Sequence, residues 1–182
     1  MNKKVIAMIP VRLGSKRIPN KNLRLLGNVP LVSYAIQAAK EANVFDEIYI
    51  NSESDIFAEI AEEYGVKFYK RPAHLSTDEA TNDDFTLDFM NSVEGDTLIQ
   101  ILATSPFITS SQVKDFVNQA KQYTTLVSTK KVKIESVYDN QPINFDQKKP
   151  SPPSQLLEPV YAYACSLMSW TYENYKKNME KY

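Results

Sequence analysis

A single cysteine, a single histidine and only four glycines are spread over 182 residues. With Cys165 alone, an internal disulfide framework and a cysteine-rich zinc site are both excluded. His74 has no carboxylate or nucleophile partner in sequence, which favours loop packing over general-base duty. No apolar run approaches the length needed to cross a bilayer. Met1-Asn2-Lys3-Lys4 leads straight into a short strand-like segment, not into the long apolar stretch of a secretory signal. Net charge is scarce too: 21 basic against 22 acidic side chains leave −1. Neither nucleic acid nor a membrane surface is therefore expected as a partner, and the expected location is the cytoplasm. The chain is 43% hydrophobic and 11% aromatic, which excludes disorder as the overall state. Its length suits one domain, residues 1–182, with room for a small appendage.

The charges are unevenly distributed. Residues 1–40 hold eight Lys and Arg and no Asp or Glu, whereas residues 41–63 hold eight Asp and Glu and no Lys or Arg. The acidic stretch reads as a solvated face. In the basic one, Arg12, Lys16, Arg17, Lys21 and Arg24 crowd into thirteen residues beside Gly14, Pro19 and Asn22, which is loop chemistry.

Periodicity supplies the frame around that loop. Val5 to Pro10 is a short apolar run, as expected of a buried strand. A helix is expected from Pro30, as first helical residue, to about Ala42, with Leu31, Ala35, Ile36 and Ala39 on one face. Glu47 to Ile50 reads as a strand. Ser54 caps a helix carrying Phe57, Ile60, Ala61 and Tyr64, stopped by Gly65. Val66 to Tyr69 reads as a third strand. Further on, a helix is expected over 82–93 and a strand over Thr97 to Leu102. Ser110 or Ser111 caps the next helix, and a strand follows over Thr124 to Thr129. This alternation predicts a three-layer α/β/α sandwich with a mainly parallel, mixed central sheet. Five of the ten prolines fall between Pro142 and Pro159, so residues 134–158 read as an irregular excursion, a dimerisation arm or a lid. A last strand over Val160 to Met168 and a helix through Tyr172 and Tyr175 close the chain. Trp170, Tyr172 and Tyr175 read as packing aromatics, and Cys165 as a small core residue.

Ligands of open α/β folds bind outside the carboxyl ends of the strands, where the basic loop stands. Gly14 lets backbone N–H groups approach an anion, Ser15 adds a hydroxyl, and Arg12, Lys16, Arg17 and Lys21 supply enough charge for a triphosphate. The loop is neither a Walker P-loop nor a dinucleotide-binding G-x-G-x-x-G. Ile9-Pro10-Val11-Arg12-Leu13-Gly14-Ser15-Lys16-Arg17-Ile18-Pro19-Asn20-Lys21-Asn22 closely resembles the signature of the acylneuraminate cytidylyltransferases, which make CMP-sialic acids and related CMP-nonulosonates. The likeness continues through Gly27-Asn28-Val29-Pro30-Leu31-Val32, then Arg71-Pro72-Ala73-His74-Leu75-Ser76-Thr77-Asp78, then Thr104-Ser105-Pro106. These matches stand in the right order across about the first two thirds of the chain.

The resemblance implies a Rossmann-like nucleotidyltransferase fold. It also implies joining of CTP to the anomeric hydroxyl of a sugar acid, with release of pyrophosphate and use of Mg²⁺. By position it implies that Arg12, Gly14, Ser15, Lys16 and Lys21 hold the triphosphate, with Arg12 and Lys21 as the catalytic cations. Asn22 and Arg71 would contact base and ribose, Thr104 and Ser105 would lie where sugar meets α-phosphate, and the protein would be a homodimer. Three departures qualify it. Leu102-Ala103 stands where the family commonly has Gln-Pro, and Leu102 neither donates nor accepts. Tyr163-Ala164-Cys165-Ser166 stands in place of a sugar-site Asn-Gly-Ala. The family's metal-binding Asp-x-Asp lies past a final helix, and the sequence reaches Tyr182 without it. Asp78, Asp83 and Asp84 remain as loop acids, so the metal ligands are unassigned. A shortened chain, a metal held mainly by the nucleotide and a weak catalyst stay open. The alternatives to a nonulosonate transferase are a noncatalytic nucleotide-binding relative, a transferase for another sugar acid such as Kdo, and a generic phosphate-binding domain.

Overall fold

A computed structural model of the chain describes residues 3–15 and 18–180. The elements begin with β1 (Val5–Pro10), the short strands β2 (Leu25–Leu26) and β3 (Val29–Pro30), α1 (Leu31–Ala42), β4 (Glu47–Ser52) and α2 (Ile56–Glu63). They continue with β5 (Lys67–Lys70), α3 (Asn82–Ser92), β6 (Thr97–Ile101), α4 (Ser110–Ala120) and β7 (Thr125–Val132). Two more short strands, β8 (Val137–Tyr138) and β9 (Gln141–Pro142), precede β10 (Val160–Thr171) and α5 (Tyr172–Met179). By its packing the chain divides into two compact units, Met1–Leu126 with Ser166–Tyr182, and Val127–Cys165.

The main sheet runs in the order β5-β4-β1-β6-β10-β7. β1 is parallel to β4, with Ile9 opposite Ile50, and to β6, with Met8 opposite Gln100. β5 extends the parallel part, and β10 runs antiparallel to β6. Residues Val5 to Ile9 are all buried because both sheet faces are covered. Strand alternation sends Ala7 and Ile9 into a core shared with α1, α2 and α4, and Ile6 and Met8 into one shared with Phe89, Met90, Tyr172 and Tyr175 of α3 and α5. The expected three-layer α/β arrangement is therefore observed. The expected packing role of the late aromatics holds as well: Trp170 meets Tyr175 edge to face at 5.3 Å between ring centres.

Local details correct several expectations. Helix α1 begins at Leu31; Pro30 precedes it in extended conformation and pairs with Leu25 in a small antiparallel ribbon. Asp55, not Ser54, occupies the cap position of α2, and no side chain caps it. Thr109, not Ser110 or Ser111, caps α4, in a reciprocal box with Gln112. β10 runs three residues further than expected, to Thr171. Cys165 is only partly buried and has φ 52°, so it is no core residue. The second unit contains a hairpin of β8 and β9 turned by Asp139 and Asn140, both at positive φ. Its backbone is tied by Asn144, whose amide donates to the carbonyls of Ile134 (2.9 Å) and Glu158 (2.7 Å).

Two predictions follow from the packing. The fully buried Phe89 ring meets Tyr49 and Tyr69 edge to face at 5.4 and 5.1 Å, and truncating it leaves a cavity beneath α3. Phe89→Ala should lower the free energy of unfolding by about 3–5 kcal/mol, read from denaturant midpoints at unchanged slope. On β4, Glu47 accepts from Lys67, from Tyr49 at 2.9 Å, and pairs with Lys4 at 3.2 Å. The Lys67 hydrogen bond leads in holding its carboxyl at about 2, against an ordinary 4.5. A carboxyl depressed by folding contributes stability that is full above its unfolded value and lost as pH falls through its folded one. Acid titration of stability between pH 4.5 and 2 should accordingly be shallower in Glu47→Gln than in the parent.

Candidate active site

From β1 the chain passes through α1 to β4 on one side of β1, and later returns to β6 on the other side. The loops leaving β1 and β6 therefore diverge at their carboxyl ends and open a crevice. One pocket there, of about 230 Å³, is lined by Pro10, Val11, Arg12, Lys21, Asn22, Arg71, Asn82, Phe85, Gln100, Leu102, Ala103 and Thr104. A second is lined by Arg12, Gly14, Ser15, Ile18, Lys21, Asn22, Asp78 and Thr104. Arg12, Lys21, Asn22 and Thr104 border both.

The basic loop is anchored at its root. Val11 N–H continues the sheet by donating to Asn51 O at 3.0 Å, and Leu13 N–H donates to Glu53 Oε1 at 2.8 Å. Asn20 takes left-handed backbone (φ 52°) to enter the 3-10 turn Lys21–Leu23. That turn buries Asn22, whose amide donates to Arg12 O at 3.1 Å. Arg12 in turn donates from Nη1 to the carbonyls of Ser76 (3.3 Å) and Thr77 (3.0 Å), and from Nη2 to Asp78 Oδ1 at 2.9 Å. Space around the Cα of Gly14 is open, so the loop presents backbone to the second pocket without a side chain in the way. Lys16 and Arg17 lie outside the described residues.

Arg71 is a different kind of cation. Its side chain is buried, with Nε donating to Asn51 Oδ1 at 2.6 Å and Nη2 to Asn51 O at 2.7 Å, and the Phe85 ring lies 4.3 Å from the guanidinium carbon. Burial lowers its pKa to about 10, so it stays charged at neutral pH. Thr104 borders both pockets, while Ser105 borders neither: its hydroxyl donates to Ser166 Oγ at 2.8 Å. His74 sits in the 3-10 turn Ala73–Ser76 and borders neither pocket.

Asn82, Phe85, Gln100 and Asp78 line these pockets without having been singled out as ligand contacts. Gln100 was detectable, as the lone amide in the apolar run Thr97-Leu98-Ile99-Gln100-Ile101-Leu102. Its Nε2 donates to Asn82 Oδ1 at 2.7 Å, and its Oε1 has no hydrogen-bond partner among the described residues. Of the three acids expected in loops, Asp78 pairs with Arg12, whereas Asp83 and Asp84 stand in the first turn of α3, Asp83 accepting from Tyr175 OH at 2.7 Å and Asp84 closing the capping box with Thr81. Among the described residues no group of three or more His, Cys, Asp or Glu is arranged to hold a metal ion. These side chains alone do not build a divalent-cation cage. Among the described residues, no helix is long and apolar enough to cross a membrane.

This chain is similar to N-acylneuraminate cytidylyltransferase of Escherichia coli O18:K1:H7, at 33% identity over 98% of this chain and 39% of the relative. It is also similar to the enzyme of that name from Streptococcus agalactiae serotype III, at 36% identity over 62% of this chain and 28% of the relative. The chain thus spans less than half the length of these relatives. The fold matches that of a CMP:2-keto-3-deoxy-manno-octonic acid synthetase complexed with CTP, at TM-score 0.73 and 15% identity over 97% of this chain and 78% of that one. It also matches 4-diphosphocytidyl-2C-methyl-D-erythritol synthase of Anaerococcus prevotii, at TM-score 0.68 and 14% identity over 98% and 77%. The cytidylyltransferase family model matches residues 6–151, and with the basic loop, the switch-point crevice and the Thr104 wall in one place, the chain belongs to the cytidylyltransferase family.

Proposed function

We propose that the crevice transfers a cytidylyl group from CTP to the anomeric hydroxyl of a nonulosonic, sialic-acid-like sugar acid. The observation that carries this reading is the division of the crevice into two adjoining pockets with shared walls. One has open backbone and hydroxyl at Gly14 and Ser15, the other has apolar walls at Pro10, Val11, Phe85, Leu102 and Ala103 with amides and a buried guanidinium between them, and the cations Arg12 and Lys21 stand on the wall they share. The first suits a triphosphate and the second a base.

In the transfer the sugar oxygen forms a bond to the α-phosphorus, the bond from that phosphorus to the bridging oxygen breaks, and pyrophosphate leaves with the electron pair. The hydroxyl proton passes to solvent. Arg12 and Lys21 neutralise charge that builds on the α-phosphate and the leaving group, and Gly14, Ser15 and Lys16 hold the remaining phosphates. Asn22 and Arg71 contact ribose and base, and Thr104, at the junction of the pockets, orients the attacking sugar, with Ser105 supporting its turn. A divalent cation, Mg²⁺ in this reading, would supply further charge neutralisation with the nucleotide, and Asp78, the carboxylate that borders the phosphate end, would meet it by exchanging its pairing with Arg12.

The test is sugar-dependent pyrophosphate release from CTP and Mg²⁺ across a panel of nonulosonic acids and Kdo. Release is expected with a nonulosonic acid and should fall by roughly a hundredfold or more in Lys21→Ala. CTP binding with no release for any acid would overturn the transferase reading.

The protein is further proposed to be a cytoplasmic homodimer joined through residues 134–158. Supporting this, the second unit exposes Ile134, Val137, Tyr138, Ile143 and Leu156, all more than half accessible. Light scattering should give twice the chain mass of 20.8 kDa, and Tyr138→Ser with Ile143→Ser should return the chain mass. A monomer in the parent would overturn the assembly.

A further inference from the structure

Gln100 is fully buried, yet it borders the base-sized pocket together with Arg71, Asn82 and Phe85. Its two amide atoms are differently placed. One N–H of Nε2 donates to Asn82 Oδ1 at 2.7 Å, which orients the group. Oε1 is left as a buried acceptor with no donor among the described residues. A buried carbonyl oxygen in that condition calls for an N–H or O–H from elsewhere. On the same pocket wall Leu102, one strand period further along, offers neither donor nor acceptor.

Resting on the nucleotide reading above, we propose that Gln100 Oε1 accepts from the exocyclic 4-amino group of the nucleotide's cytosine. The Gln100–Asn82 pair thereby selects CTP over UTP. Cytosine presents an amino donor at that position, whereas uracil presents a carbonyl oxygen that would face Oε1 as acceptor against acceptor. Arg71 complements the arrangement as a buried donor bordering the same pocket, suited to the base's own acceptors. Asn82 acts as a positioning residue: by accepting from Nε2 it keeps the oxygen end of Gln100 free for the base. A pocket built to satisfy one buried acceptor rejects a base lacking the donor, because both groups are then left unpaired.

The experiment is titration calorimetry of the whole chain with four nucleotides: CTP, UTP, 2′-deoxy-CTP, and the CTP analogue carrying hydrogen in place of the 4-amino group. It needs neither sugar acid nor turnover. The parent should bind CTP roughly 5- to 150-fold more tightly than the 4-hydrogen analogue, with UTP at least as weak as that analogue. In Gln100→Leu the gap between CTP and the analogue should close, while the ratio of CTP to 2′-deoxy-CTP stays as in the parent. Asn82→Ala keeps the acceptor but frees the amide to rotate, so it should narrow the gap without closing it. If Gln100→Leu does not fold, the parent's nucleotide series and Asn82→Ala carry the test. Equal parental affinity for CTP and the analogue would overturn the assignment. So would a Gln100→Leu loss shared equally by both, or one that tracks the 2′-hydroxyl. Failure of the parent to bind CTP at all would overturn the nucleotide reading itself, and this assignment with it.

Discussion

Burying a guanidinium costs several kcal/mol unless hydrogen bonds inside the protein offset it, and in this chain Asn51 takes two of the five N–H donors of Arg71. Both oxygens of that residue accept from Arg71, at 2.6 and 2.7 Å, and the Phe85 ring covers the cation from α3. Asn51 stands in β4 opposite Pro10 of β1 and Tyr69 of β5, and its amide reaches Met8 Sδ at 3.2 Å. One buried polar contact therefore joins the carboxyl ends of three strands to the helix that closes the crevice. Displacing any of them would leave a charge without its acceptor, which is why the walls of the first pocket hold their relative positions.

Much of this frame can be read from residue order. Core elements with strong periodicity, such as β1, α1 and the Val113-Phe116-Val117 stripe of α4, stand within a residue or two of where their patterns place them, because burial on one or both faces dictates the pattern. Helix starts are harder. Thr109, Ser110 and Ser111 are all competent caps, and the choice falls to Thr109 because Gln112 lies three residues on and can return the hydrogen bond. Near α2, Ser54 has the right chemistry, but the cap position falls to Asp55. The short ribbons escape periodicity altogether, although Asp139-Asn140 is a recognisable turn pair.

The crevice shows the same limit. Positions carried by a contiguous motif, Arg12, Gly14, Ser15, Lys21 and Asn22, come together because one loop holds them, and Arg71 and Thr104 join because the strand order brings their loops to the same edge. Gln100 and Asn82 meet across eighteen residues through the packing of α3 on β6. Neither belongs to a motif, so only the folded chain pairs them. Gln100 thus puts an amide on the pocket wall that Leu102 leaves apolar, in a place that local pattern has no means to mark.

The box at the start of α3 has a consequence for how an elongated ligand can lie. A helix start ordinarily attracts anions, but here the Asp84 carboxylate accepts from Thr81 N–H, the Thr81 hydroxyl accepts from Asp84 N–H, and Asp83 adds a second negative charge in the first turn. Arg12 and Lys21 border both pockets, with Asp78 beside them at the loop. An anionic group therefore gains little at this helix start, and its counter-charges stand on the wall that the two pockets share. A molecule with a highly charged tail is met by that wall and not by the helix.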